Sequence, residues 1–168
     1  MGEPEPLPIS IRLAVPEDAQ FIIQWLLEPH VLQWFPLTDL REIEDAVRIW
    51  MSYRKYDAVL TVLYDGVPCG GATLYVQSFQ KLAHQCLFAI IISEPFRNKG
   101  IGKALMLELM RRAKEELKIE LLHLEVYDTN PAIRLYQKLG FVQYGYQRKF
   151  IKNADGSYLG KIMMQRKL

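Results

Sequence analysis

The sequence predicts a single α+β domain built on a mixed, mostly antiparallel, twisted sheet of about seven strands, with helices on both faces. Three observations carry this. Alternating or β-branched runs recur at Ile9 to Val15, Ala58 to Tyr64, Val67 to Val76, Leu82 to Ile92, Leu121 to Tyr127, Phe141 to Ile151 and Tyr158 to Met164. Segments with helical spacing of apolar residues separate them, in the order β-α-α-β-β-β-α-β-α-β-β. The run Phe88 to Ile92 is apolar on both faces, as a central strand covered from both sides must be.

Each element has a local reason. Pro16 opens the first helix, with Glu17 and Asp18 at the positive end of its dipole, and Phe21, Ile22, Trp25 and Leu26 form its apolar face. Pro29 is expected to end it. Thr38 reads as the cap of a second helix over Arg41 to Arg54, carrying Ile43, Ala46, Val47 and Trp50 at helical spacing. Asp65-Gly66 is a hairpin signal between two strands. A long helix is expected from about Gly100 to Leu117, and a short one from Pro131 to Leu139, stopped by Gly140. The last two strands are joined by Asn153-Ala154-Asp155-Gly156.

Composition narrows the function classes. The 168 residues suit one domain over 9–168, preceded by an acidic, Pro-rich tail, 1–8, expected to be flexible. Lys and Arg number 21 against 19 Asp and Glu, a net charge of +2, too weak a basic excess for a general nucleic-acid binder. No apolar run approaches a membrane span, and the N-terminus has neither the basic start nor the apolar core of a signal peptide. Cys69 and Cys86 form no Cys-x-x-Cys pair and read as buried thiols, so no metal site is expected. A cytoplasmic location follows most simply.

Two segments carry chemistry. The first is Arg97-Asn98-Lys99-Gly100-Ile101-Gly102, which follows the most apolar strand and opens the long helix. Glycines let a backbone approach a ligand closely, the helix start offers free N–H groups, and Arg97, Lys99 and Lys103 add positive charge. A pyrophosphate suits such a loop; a plain glycine turn with a solvated basic cluster is the alternative. The spacing is neither that of a Walker loop nor that of a dinucleotide fingerprint. The second segment is Leu124-Glu125-Val126 followed by Asn130-Pro131, Tyr136 and Lys138-Leu139-Gly140-Phe141. Asn130 reads as a helix cap or a ligand contact, Tyr136 as a core ring or a proton donor.

Together the two segments resemble the GNAT superfamily of acyl-CoA-dependent N-acetyltransferases. Arg97, Gly100 and Gly102 match its Arg/Gln-x-x-Gly-x-Gly/Ala loop, and Leu124 through Phe141 match its later Leu-Glu-Val…Asn…Leu-Tyr-x-Lys-Leu-Gly-Phe run. The C-terminal half is most similar to ribosomal-protein-alanine and polyamine N-acetyltransferases. Trp25-Leu26, Pro29-His30-Val31 and Trp34 look instead like aminoglycoside 6′-N-acetyltransferases. The resemblance implies a GNAT-like sheet and direct acetyl transfer from acetyl-CoA to a primary amine of a small molecule or a protein N-terminus. A non-catalytic acyl-CoA sensor or interaction domain is the alternative, and a homodimer is left open.

The implied cofactor contacts are the backbone around Ile90, Ile91 and Ile92, the loop Arg97, Asn98, Lys99, Gly100, Ile101, Gly102 and Lys103, and Asn130. Tyr136 is the implied donor to the leaving thiolate. Glu125 is the candidate base, beside a bland reading as a satisfied strand carboxylate; His84, His123 and a water chain are alternatives. Trp25, Trp34, Phe35 and Trp50 are read as either acceptor-pocket wall or core. Glu28, Asp39, Glu42, Glu44 and Asp45 would either attract a cationic amine or form a solvated face.

Overall fold

A computed structural model describes residues 2–5 and 8–168. Met1, Pro6 and Leu7, part of the expected tail 1–8, lie outside the described residues. Seven strands form one sheet in the order β1-β2-β3-β4-β5-β7-β6. They are β1 (Ile9–Leu13), β2 (Val59–Tyr64), β3 (Val67–Leu74), β4 (Gln85–Ile92), β5 (Leu121–Tyr127), β6 (Val142–Lys152) and β7 (Tyr158–Lys167). Only the β4–β5 pairing is parallel among the described residues. The helices are α1 (Ala19–Leu26), α2 (Pro29–Leu32), α3 (Leu40–Ser52), α4 (Ile101–Glu115) and α5 (Ile133–Lys138). The mixed, mostly antiparallel α+β architecture read from the sequence is the one observed.

Strand alternation divides the core between the two faces of the sheet. Phe88, Leu122, Leu124 and Val126 pack with Leu105, Met106 and Leu109 of α4 and with Tyr136 of α5. Ile91 and Val59, offset by one residue, pack with Ile22, Trp25 and Leu26 of α1 and with Ile43, Val47 and Trp50 of α3. The central strand is therefore covered on both sides, as its two apolar faces require. Buried α4 residues recur along one stripe, Ile101, Leu105, Met106, Leu109 and Ala113, and each large one contributes roughly 1.5–3 kcal/mol by leaving water. Asp65 and Gly66 both take positive φ (48° and 78°), the geometry of a two-residue hairpin loop.

Some boundaries differ from the sequence reading. Asp39, rather than Thr38, caps α3: its side chain accepts from the Glu42 N–H, while Thr38 donates through its N–H and hydroxyl to the Glu42 carboxylate. Pro29 does not simply end a helix but opens the four-residue α2, because proline fits a first helical turn and Glu28 before it is extended. Helix α5 begins at Ile133, after a turn through Pro131 and Ala132.

One polar cluster ties the N-terminal half together. Asp18, 1% exposed, accepts from both Arg12 terminal nitrogens at 2.7 and 3.0 Å, from the Val15 N–H at 2.9 Å and from the Thr61 hydroxyl at 2.8 Å. These contacts join β1, the turn before α1, and β2. Burial pushes the Asp18 carboxyl upward, but the hydrogen bonds and the Arg12 charge outweigh it and hold it below the usual carboxylate range. A depressed carboxylate stabilises the fold above its unfolded value of about 3.9, and that contribution is lost as pH falls through the folded value. Asp18→Ala should therefore cost about 2–3 kcal/mol at pH 7, since it leaves Val15, Thr61 and Arg12 unpaired. Urea melts at pH 7 and at pH 3 check this: the gap between variant and parent should shrink at the lower pH, and equal stability at pH 7 would contradict it.

Candidate functional site

The site begins where two strands stop pairing. β4 and β5 run side by side only from Gln85↔Leu121 to Leu87↔His123. Beyond that point β4 stays paired with β3 as far as Gly70↔Ile92, and β5 stays paired with β7 as far as Tyr127↔Lys161. Phe88, the first residue past the fork, packs its ring against Tyr136 and Phe141, with centroids 6.1 and 5.7 Å away. Gly70 lets β3 follow β4 to its end: a Cβ there would stand 2.6 Å from the Ile91 carbonyl oxygen.

The open edge of β4 can be assigned residue by residue. The Leu87 carbonyl accepts from the Tyr75 N–H and the Ser93 N–H donates to the Cys69 carbonyl, so odd-numbered residues turn their backbone groups to β3. The register between them is regular. Ile90 and Ile92 therefore present N–H and C=O groups to the gap, while the Phe88 N–H still belongs to the last β4–β5 pair. Of the three expected backbone contacts, Ile90 and Ile92 face the opening, whereas the Ile91 backbone is committed to β3 and its side chain to the core.

The edge leads to the start of α4. Asn98 (φ 61°) and Gly100 (φ 77°) both adopt the left-handed conformation that turns the chain into the helix. The N–H groups of Ile101, Gly102 and Lys103 lie in the first turn, where helices have no internal acceptors to offer. A Cβ on Gly102 would meet only Leu135 and Ile92, at 3.7 and 3.9 Å, which is ordinary contact. Arg97 donates to the His30 carbonyl at 2.9 Å, and Lys99 turns aside, its Nζ 5.7 Å from the centre of the Tyr64 ring.

A cleft of about 480 Å³ joins these parts. It gathers Ile90, Ile91, Ile92, Arg97, Asn98, Gly100, Ile101, Gly102, Lys103, Asn130, Glu125 and Tyr136, that is, every expected site residue except Lys99. Val31, Trp34 and Phe35 form a further wall. Glu28 holds that wall in place, its carboxylate accepting from the Ser93 hydroxyl and the Glu94 N–H at 2.8 Å each. Trp25 and Trp50 are core instead, 5% and 4% exposed. Asn130 accepts the Ala132 N–H at 2.9 Å through its side chain, so it acts as the turn cap while lining the cleft.

The titratable groups divide across the sheet. Tyr136, 7% exposed, projects from α5 between Phe88 and Phe141, and burial pushes its hydroxyl well above the ordinary tyrosine value. Glu125 alternates with the buried Leu124 and Val126 and so lies on the opposite face, beside α1–α3. Lys161 Nζ stands 3.3 Å from its Oε1. His123, two residues before it, meets Gln85, and burial lowers its imidazole although Glu125 pulls the other way. His84 lies in a separate pocket with Glu120 and Arg166, away from the cleft. Of the acidic helix residues, Asp39 and Glu42 are engaged in capping and Asp45 pairs with Arg48, and neither these nor Glu44 are among the residues that line the cleft. Burial raises Cys69 and Cys86 to about 11 and about 12, so both remain inert thiols.

The geometry suits an extended ligand with amides at one end and phosphates at the other. A free strand edge can pair with amides, and a helix start flanked by Lys103 and Arg97 suits a pyrophosphate. No group of acidic, His and Cys side chains among the described residues is arranged to hold a metal ion, and no helix there is long and apolar enough to cross a membrane.

Known proteins agree with this arrangement. The L-amino acid N-acetyltransferase AaaT of Escherichia coli is 31% identical over 108 residues, covering 64% of this chain and 66% of its own length. An N-alpha-acetyltransferase of Sulfurisphaera tokodaii is 39% identical over 72 residues, covering 42% and 43% respectively. The chain thus spans less than two thirds of the curated relatives it matches. The yncA protein of Salmonella typhimurium, solved with its cofactor acetyl-CoA, shares the fold with a TM-score of 0.80 at 21% identity, over 96% of this chain and 94% of that one. Residues 19–141 match the Acetyltransferase (GNAT) family, and they contain both the parted strands and the glycine loop; the chain belongs to that family.

Proposed function

We propose that this protein transfers an acetyl group from acetyl-CoA directly to a primary amine. The observation that carries the reading is the parting of β4 and β5, which turns the Ile90 and Ile92 backbone toward a cleft ending at the start of α4. The first turn of α4, with Lys103, would hold the pyrophosphate, and the Phe88–Ile92 edge would pair with the pantetheine amides. Acetyl-CoA supplies the activated acyl carbon. A backbone N–H on the open edge, with Ile90 and Ile92 in position, would donate to the thioester oxygen as negative charge develops there.

The two faces of the sheet divide the proton work. The acceptor arrives as an ammonium on the Glu125 side, gives a proton to that carboxylate, and attacks as a free amine. The C–N bond forms and the C–S bond breaks, the proton left on the nitrogen passes to the departing sulphur, and coenzyme A leaves as the thiol on the Tyr136 side. A phenol raised by burial keeps its proton at every working pH, so Tyr136 is always a donor. Complete transfer from so weak an acid to a thiolate runs uphill, and its main contribution is a hydrogen bond to the sulphur in the transition state. The acceptor is a small-molecule amine or a protein N-terminus: AaaT is named for amino acids and the Sulfurisphaera tokodaii relative for an N-alpha group. A cytoplasmic location accords with the free buried thiols.

Cofactor use is tested by thermal shift. Acetyl-CoA at about 100 times its dissociation constant should add about 2.7 kcal/mol of apparent stability. Gly102→Ala should keep the shift, because the methyl group fits, and Gly102→Glu should abolish it by placing a carboxylate where an anion binds. No shift with millimolar acetyl-CoA, beside a clear shift with a dinucleotide, would contradict the reading.

Tyr136→Phe preserves the ring packing and removes the donor. Turnover per folded molecule should fall about 10- to 100-fold with acetyl-CoA affinity nearly unchanged. Full turnover in the folded variant would take Tyr136 out of the mechanism.

A further inference from the structure

The acceptor face holds a buried lysine that no part of the mechanism above uses. Lys161 lies on β7 opposite Tyr127, with its side chain 11% exposed. An ammonium withdrawn from water needs a compensating partner, and without one it costs several kcal/mol. Two groups compensate it. The Phe150 ring lies under Nζ, 4.2 Å from atom to centroid, and the Glu125 carboxylate stands 3.3 Å away. Glu125 is the carboxylate within ion-pair reach of Lys161 among the described residues.

The β6 strand is deformed to make this enclosure. Its register against β7 jumps between Gln147↔Lys161 and Ile151↔Leu159, so Arg148, Lys149 and Phe150 stand opposite Gly160 alone. Lys149 adopts φ 55°, an unfavourable conformation for a side chain other than glycine. The bulge brings Phe150 against Tyr127 as well as Lys161, with ring centroids 6.4 Å apart. Gly160 leaves room for the Tyr146 ring there: a Cβ would meet it and force the ring to shift. That hydroxyl donates to Asp128 at 2.8 Å, which locks the arm from its other side. Backbone strain and tight packing converge on the placement of one ammonium.

Glu125 is the part of this cluster that reaches the cleft. It lines the wall, and its side chain is 40% exposed. A half-exposed glutamate has several rotamers, and a base that wanders loses the geometric advantage of being held near its proton. We propose that Lys161 is a positioning residue. It anchors the Glu125 carboxylate through Oε1 so that Oε2 takes the proton of the acceptor ammonium. The proton passes from nitrogen to Oε2, leaving a neutral amine and a neutral carboxyl group, and Lys161 keeps its own proton throughout. This inference rests on Glu125 being the base, as proposed above.

A double-mutant cycle tests it on the full chain. The probes are an equimolar set of L-amino acids in one arm and a peptide with a free N-terminal alanine in the other, each with acetyl-CoA. Turnover is expressed per folded molecule, and melting temperature and acetyl-CoA affinity are measured for each variant. Lys161→Met should lower turnover about tenfold with acetyl-CoA affinity unchanged, and Lys161→Arg should restore most of it. Lys161→Gln serves as the neutral variant if the methionine form does not fold, with the same loss expected. In a Glu125→Gln background, Lys161→Met should cost nothing further. Equal losses in both backgrounds, or full turnover in Lys161→Met beside a large loss in Glu125→Gln, would overturn the positioning role alone. Unchanged turnover in Glu125→Gln would overturn the base assignment and the inference with it, leaving cofactor use intact. Acetylation in neither arm by the unaltered protein would count against the transfer reading and carry the inference down with it.

Discussion

The molecule depends on two strands being kept apart. A parallel pair of apolar strands closes by default, because every unpaired backbone group in a protein interior costs free energy. Here closure stops after Leu87 and His123, while each arm stays paired on its other edge. β4 spends its odd-numbered backbone groups on β3, and β5 is registered against β7 through Tyr127↔Lys161. Phe88, Tyr136 and Phe141 fill the fork with three rings in mutual contact. The open backbone edge that results, which we propose as the binding surface, is made by the fold itself rather than by any one side chain.

That constraint also explains why the site lies across both faces of the sheet. Alternation along β5 sends Leu124 and Val126 toward α4 and α5, and Glu125 toward α1–α3. In a closed sheet these faces would be separated by hydrogen-bonded backbone. In the parted sheet both reach one cleft, so Tyr136 on α5 and Glu125 on β5 line the same space. The wall of Val31, Trp34 and Phe35 is then tied to the end of β4 by Glu28 and Arg97. Arg97, read from its motif as a phosphate contact, thus also links the loop before α4 to the wall beside α2.

Much of this was legible in the sequence because local rules govern it. The left-handed Gly100, the hairpin Asp65-Gly66, the apolar stripe of α4 and the doubly apolar β4 each follow from residue type and spacing. The loop and the Glu125 to Tyr136 segment were readable as a candidate site because their motifs are contiguous, and the structure brings both to one cleft. What escaped reading was non-local. Nothing near Ile91 tells that its backbone, unlike that of Ile90 and Ile92, turns to β3; that depends on a register set by Tyr75 and Cys69. Lys99 carries the same charge as Lys103, and only the position of Tyr64 diverts it. The cap moved from Thr38 to Asp39 because both residues can cap and Glu42 engages each of them. Lys161 belongs to no motif; a lysine between Gly160 and Ile162 in an apolar strand was its one signal, and its partners come from β5 and β6.

The proposed binding edge depends on which amides of β4 are free. Amide hydrogen exchange resolved at Ile90, Ile91 and Ile92, with and without acetyl-CoA, measures this directly. Ile91 should be protected in both states, while Ile90 and Ile92 should exchange faster in the free protein and slow when acetyl-CoA is bound. Ile90 and Ile92 exchanging as slowly as Ile91 in the free protein, with no change on adding acetyl-CoA, would contradict the claim that the parted strand is the binding edge.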